Sequence, residues 1–129
     1  MSQPLPAFRV GLGYDIHPLV AGRPCILGGV NIPSPVGPEG HSDADVLLHA
    51  VAEAKGQGGW VVGNVDIVII GERPKVMAHV DAMKAKVAEI IGISASQVGI
   101  KATTNEGMDS IGQGKALAVQ AICLISKGF

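Results

Sequence analysis

The chain of 129 residues carries 10 Lys and Arg against 11 Asp and Glu, a formal net charge of -1. With no basic run, this excludes the electrostatic footprint of a nucleic-acid binder or of a protein held on an anionic membrane. Hydrophobic residues make up 47% of the sequence and aromatics only 3%, so a single domain spanning 1–129 has to build its core from Val, Ile, Leu and Ala, which at this length needs no disulfide or structural metal.

Met1 to Phe8 lacks the basic start and apolar core of a signal peptide, and no apolar run reaches the ~20 residues that span a bilayer. Together with Cys25 and Cys123, two thiols in apolar stretches, this predicts a cytoplasmic chain in a reducing compartment. Residues 8 to 14 have strand character and run into Asp15-Ile16-His17, where an extended backbone points Asp15 and His17 at one object. Pro24 to Ile32, with Gly28-Gly29, reads as a strand or hairpin arm, and Pro33 to Gly40 as a loop.

At His41-Ser42-Asp43 a Ser or Asp can cap a helix marked by Val46, Leu47, Ala50, Val51 and Ala54, on which Asp45 and His49 share a face. Trp60 to Ile70 is β-branched and predicts a strand, followed by a turn from Gly71 to Lys75. Met77, Val80, Met83, Val87, Ile90 and Ile91 form one helical apolar stripe that Gly92 stops. Val98 to Thr104 predicts a strand ending in the polar cluster Thr103-Thr104-Asn105-Glu106-Gly107, and Ala116 to Ile125 is an apolar run that fits either a buried strand or a buried helix.

Asp15, His17 and His49 offer a carboxylate and two imidazoles, a donor set for a divalent transition metal with one open position. For an arbitrary D-x-H, a turn-capping Asp and satisfied histidines are the commoner outcome. His41 and Ser42 precede a helix N-terminus, which suits an anion such as phosphate and equally an ordinary cap. Asp45 is read as a solvated helix carboxylate or, alternatively, as orienting a metal-bound histidine. Thr103, Thr104 and Glu106 could hold a diphosphate and a hard cation, or form a plain polar turn. Lys75 divides in the same way between a ligand contact and a surface charge, while the methionines near residue 77 read as core.

The succession GLGYDIHPL, ILGGVNIP, HSDADVLLHA, GNVDIVII with ERPK, and KATTNEGM resembles the ordered signature blocks of the 2-C-methyl-D-erythritol 2,4-cyclodiphosphate synthases. The resemblance covers most of the chain. It implies an α/β (α+β) protomer with a four-stranded mixed sheet packed with helices, assembled as a homotrimer with active sites between neighbours. It further implies Zn²⁺ on Asp15, His17 and His49, and Mg²⁺ or Mn²⁺ on Glu106. By the same resemblance His41 and Ser42 line a methylerythritol phosphate pocket, Gly71, Lys75, Val76 and Met77 a cytosine pocket, and Thr103 and Thr104 the diphosphate site, with Glu106, Thr104 and His41 closest to catalysis. Ala116 to Ile125 becomes a strand by analogy. The implied activity is that of a phosphorus–oxygen lyase of non-mevalonate isoprenoid biosynthesis, which cyclises 4-diphosphocytidyl-2-C-methyl-D-erythritol 2-phosphate and releases CMP.

Between Ala54 and Gly63, members of that family carry a few dozen further residues that form a lid. Their absence is either a true deletion or an omission from the sequence in hand, and the intact flanking blocks favour the omission. A second departure is Asp109 to Lys115, where Gln113 stands in place of an arginine that in many bacterial members lines an axial cavity for isoprenoid diphosphates. Two other functions use the same residues: a metal-dependent phosphohydrolase, and an inactive cytidine-nucleotide-binding trimer if the lid is truly deleted.

Overall fold

The computed structural model describes residues 7–40, 45–56 and 60–127. Strand β1 (Phe8–Ala21) continues well past residue 14 and carries Asp15 and His17 within it. It lies along nearly the whole of β7 (Ala116–Ser126), antiparallel from Phe8↔Ser126 to Pro18↔Ala116. On its other side β7 pairs antiparallel with β5 (Val61–Ile70), which pairs parallel with β6 (Val98–Thr103). These four long strands form the expected mixed sheet.

A short fifth strand, β4 (Val36–Pro38), extends the sheet beyond β1, giving the order β4-β1-β7-β5-β6. It lies inside the Pro-rich stretch read as a loop. Proline marks loops, but it is tolerated on a three-residue edge strand that has only one pairing neighbour. Strands β2 (Cys25–Leu27) and β3 (Val30–Ile32) form a separate hairpin, turning on Gly28 and Gly29 at φ +57° and +74°, the left-handed pair that a two-residue hairpin requires.

Strand β7 explains why its period was illegible. Ala116, Leu117, Ala118 and Val119 are all buried, and alternation with solvent begins only at Gln120. A strand covered on both faces has no period to read.

Helices α1 (Val46–Lys55) and α2 (Val80–Ile91) cover one face of the sheet. The first buries Val46, Leu47, Ala50, Val51 and Ala54, as its spacing predicts. The stripe of α2 is narrower than expected: Val80, Met83, Val87 and Ala88 are buried, whereas Met77 is 64% and Ile90 55% exposed. Met77 belongs to a preceding 3₁₀ turn (Met77–His79), whose tighter winding takes it off the α-helical stripe. Gly92 ends α2 in the left-handed conformation, as expected. A short helix, α3 (Asp109–Gly112), fills the departure before β7. Among the described residues no helix is long and apolar enough to cross a membrane.

Two glycines set the distance between α1 and the sheet. A Cβ on Gly11 would lie 1.8 Å from the Ala54 carbonyl oxygen, and one on Gly13 would lie 1.9 Å from that of Ala50. The helix backbone therefore rests directly on the β1 backbone. The opposite face of the sheet is apolar and uncovered, with Val10 66%, Leu12 59% and Ile122 46% exposed, flanked by Phe8, Tyr14, Ile16 and Leu124.

Both cysteines are free and buried. Burial first, and then the Asp45 carboxylate, push the Cys25 thiol up to about 11; burial also raises that of Cys123. Because the folded value of Cys25 lies above the ordinary ~8.5, the neutral thiol's contribution to stability is complete below that pH and is lost as pH climbs through 11. Native protein at pH 8 is accordingly expected to resist thiol reagents that label it fully in urea, and its urea midpoint is expected to fall from about pH 9 upward. Gly13→Ala is expected to lose at least ~1–3 kcal/mol by urea denaturation through overpacking. Gly63→Ala, whose added Cβ would meet nothing closer than 3.4 Å, is expected to stay within about 0.5 kcal/mol of the parent.

Candidate metal centre and adjoining cavity

Asp15 and His17 project from the helix-covered face of β1, two residues apart, and His49 comes down on them from the second turn of α1. Nε2 of His17 and Nδ1 of His49 each lie 3.0 Å from the same carboxylate oxygen, Oδ2 of Asp15. The three donor atoms lie within 4.8 Å of one another, close enough for one ion to touch all three after minor side-chain rotation. His49 is half exposed while His17 is largely covered, so the centre is open towards the α1 side.

The donors also fit a cation chemically. His17 Nδ1 lies 2.6 Å from the Glu39 carbonyl oxygen, which can only accept, so Nδ1 carries the proton. In the neutral ring Nε2 then aims its lone pair at a carboxylate oxygen, a repulsive contact that a cation bound by both atoms makes favourable. Fixing the tautomer of a ligating histidine through its other nitrogen is the usual arrangement at metal sites. The Glu39 carbonyl was not found from sequence, because nothing in the residue's identity marks a backbone acceptor.

Asp45 answers to neither expectation. It is 1% exposed and therefore not solvated, and its carboxylate bonds backbone N–H groups rather than the rings of His17 or His49. Oδ1 accepts the N–H groups of Gly28 at 2.9 Å and Leu48 at 3.0 Å, and Oδ2 that of Gly29 at 2.8 Å. Asp45 is thus the N-cap of α1, a part expected of Ser42 or Asp43. His41, Ser42 and Asp43 lie outside the described residues, and so does any site built on the first two.

The remaining candidates gather at the C-terminal ends of the parallel pair β5 and β6, where open α/β sheets bind ligands. Gly71, Lys75, Val76, Met77, Thr103 and Thr104 all line one cavity of ≈ 140 Å³. Val76 is buried in its wall, while Lys75 and Met77 are exposed at its mouth. Leu117, which also lines the cavity, is the register partner of His17, so triad and cavity are separated by about two strand spacings, ~10 Å.

Glu106 follows the cavity's Thr104 in a left-handed conformation at φ +56°, with its N–H donating to Thr104 Oγ1 at 3.2 Å. It is exposed and does not join the group formed by Asp15, His17 and His49. The loop that carries it is tied to the cavity's other wall at two points sequence did not reveal. Glu72 accepts from Gly107 N–H at 3.4 Å, and Arg73 Nε donates to the Gly114 carbonyl at 2.9 Å. Asp109 stiffens the same loop by accepting from Gly112 N–H at 3.0 Å, a bond that lowers its carboxyl below the usual range.

Comparison with known proteins agrees with this geometry. A profile of the YgbB family matches residues 8–55 and 53–126, in two pieces that meet at the end of α1. The chain is 41% identical to 2-C-methyl-D-erythritol 2,4-cyclodiphosphate synthase of Synechococcus sp. (strain JA-2-3B'a(2-13)), over 91% of this chain and 98% of that protein. It is 38% identical to the synthase of Bacillus subtilis (strain 168), over 94% and 99%. The first alignment spans 153 positions, more than the 129 residues present, so that relative has residues with no counterpart here. Among solved structures, the synthase from Plasmodium vivax superposes with a TM-score of 0.86 at 29% identity, covering 95% of this chain and 99% of its own. A CDP complex of IspF from Plasmodium falciparum superposes with a TM-score of 0.84 at 25% identity, covering 93% and 96%. The chain belongs to the YgbB family, that of the 2-C-methyl-D-erythritol 2,4-cyclodiphosphate synthases.

Proposed function

We propose that this chain works as a metal-dependent cyclodiphosphate synthase through the residues described above, and the convergence of Asp15, His17 and His49 on one point carries that reading. The reaction converts 4-diphosphocytidyl-2-C-methyl-D-erythritol 2-phosphate into the 2,4-cyclodiphosphate and CMP. An oxygen of the 2-phosphate forms a bond to the β-phosphorus, and the bond from that phosphorus to the bridging oxygen breaks, the oxygen leaving with CMP. The attacking group is already an anion at neutral pH, so no general base is required. The task left to the protein is to hold two mutually repelling phosphates in line, which is positioning and charge stabilisation.

Asp15, His17 and His49 would hold Zn²⁺, and Glu106, with substrate oxygens, Mg²⁺ or Mn²⁺. When bound, such ions act as Lewis acids that screen phosphate charge. Thr103 and Thr104 offer hydroxyls and backbone N–H groups to the diphosphate. Gly71, Lys75, Val76 and Met77 are assigned to the cytosine, and a structural neighbour solved as a CDP complex supports a cytidine nucleotide as the kind of ligand. His41 and Ser42 are assigned to the methylerythritol phosphate. Thr104, Glu106 and His41 are the residues proposed to lie nearest the reacting phosphates.

A homotrimer is proposed from the family resemblance, and the uncovered apolar face bearing Val10, Leu12 and Ile122 supports the self-association it needs, because a contiguous patch of that kind on a small protein marks an interface. Buried free thiols support a reducing, cytoplasmic setting. The chain is read as a single domain whose relatives' lid between Ala54 and Gly63 is absent by omission, and the synthase reading takes that lid to be part of the working enzyme. An apolar groove lined by Leu48, Val51, Ala52, Ile90 and Ile91 lies beside His49, where such a segment would find a surface to cover.

Incubated with substrate, Zn²⁺ and Mg²⁺, the protein is expected to give CMP and a cyclic diphosphate by phosphorus NMR. A linear product would show that water is the nucleophile and would sink the synthase assignment. His49→Ala is expected to weaken zinc binding by more than about 100-fold, beyond what loss of an outer partner costs. Chelation is expected to abolish turnover while leaving the far-ultraviolet CD unchanged, because the core closes without metal; unfolding on chelation would make the ion structural. Leu12→Glu is expected to shift the light-scattering mass from three times 13.2 kDa towards a single 13.2 kDa chain.

A further inference from the structure

We infer that Asp45, whose carboxylate bonds backbone N–H groups rather than the side chains of the metal ligands, is a positioning residue that sets the place of His49 by locking the start of α1 to the β2–β3 hairpin. The inference rests on the metal-centre reading of Asp15, His17 and His49. Three observations carry it.

The first is where the carboxylate spends its bonds. Gly28 and Gly29 are both left-handed, at φ +57° and +74°, and this turn aims two successive N–H groups at one place. The Asp45 carboxylate receives both, one on each oxygen, at 2.9 and 2.8 Å, and Oδ1 also takes the Leu48 N–H of α1 at 3.0 Å. A helix cap needs only the last of these. The other two join the helix to a separate two-stranded unit.

The second is connectivity. The first hydrogen bond of α1 runs from His49 N–H to the Asp45 carbonyl at 3.0 Å, so the ligand is one turn from the clamped residue and shares its helix face. Gly11 and Gly13 fix how closely α1 approaches β1, and Val46, Leu47 and Ala50 seat its apolar face in the core. The clamp at Asp45 adds the tie to the hairpin, at the end nearest the metal ligands.

The third is burial. Asp45 is 1% exposed, and Gly28, which it bonds, lies against the fully buried side chains of Leu47 and Met83. A charge is costly there unless every lone pair is used, and replacing one partner costs more than the bond was worth. The hairpin also carries no other role in the proposed chemistry. Its backbone N–H pair serves as the fixed point to which α1 is tied.

Cobalt serves as the probe, because its visible absorption reports the number and arrangement of its ligands. Asp45→Asn keeps the size and one acceptor oxygen but sets an amide N–H against a backbone N–H, so the clamp opens on one side. Folded Asp45→Asn is expected to bind Co²⁺ about 10–100-fold more weakly than the parent, with an altered visible spectrum, and to bind CMP alone unchanged. Asp45→Ser retains the cap to Leu48 and loses the hairpin. It is read identically and serves where the Asn variant is not folded by CD. Parental cobalt affinity and spectrum in either folded variant would overturn the inference while leaving the metal centre intact. Failure of the unsubstituted protein to bind Co²⁺ would instead overturn the metal-centre reading, and this inference with it.

Discussion

The contact on which the rest of the molecule depends is the absence of side chains at Gly11 and Gly13. Any Cβ there would overlap the carbonyl oxygens of Ala54 and Ala50, so two missing methyl groups let α1 lie on β1 backbone to backbone. The next residues on that face of the strand are Asp15 and His17, and the helix arrives there with His49. A helix held further off by ordinary side chains would leave His49 out of reach of Asp15, and the donor atoms would no longer converge. Packing and chemistry are the same contact seen at two points along one strand.

Around that contact the ligands are held from their far sides. The Glu39 carbonyl fixes the tautomer of His17, and Glu39 stands just beyond β4, the edge strand that brings this stretch back to β1. The Asp45 carboxylate ties the start of α1 to the β2–β3 turn. At the other site, Glu72 and Arg73 link the loop after β5 to the loop after β6, so the cavity walls are tied to each other. Each device pairs a side chain with a backbone group, which makes it invisible to residue patterns.

That division explains what could be read from sequence. The alternation of Asp15 and His17, the position of His49 on a helix, the mixed sheet and the cavity residues Gly71, Lys75, Val76, Met77, Thr103 and Thr104 all follow from periodicity or from ordered blocks. Strand β4 was hidden by Pro33, Pro35 and Pro38, and the period of β7 by burial of both faces over Ala116 to Val119. Asp45 was misread because a carboxylate four residues before a histidine has two ordinary uses, and only the folded hairpin provides the third. Met77 was placed in the core by a spacing that the 3₁₀ turn then broke.

The most direct measurement of the account's centre is X-ray absorption at the zinc edge of metal-loaded protein. The geometry calls for two imidazole nitrogens and one carboxylate oxygen at about 2.0–2.2 Å, with no sulfur, and for loss of one of the two imidazoles, that of His49, when Gly13 is replaced by Val. Sulfur scattering near 2.3 Å, or a zinc environment identical in Gly13→Val, would contradict the claim that close approach of α1 to β1 builds the site.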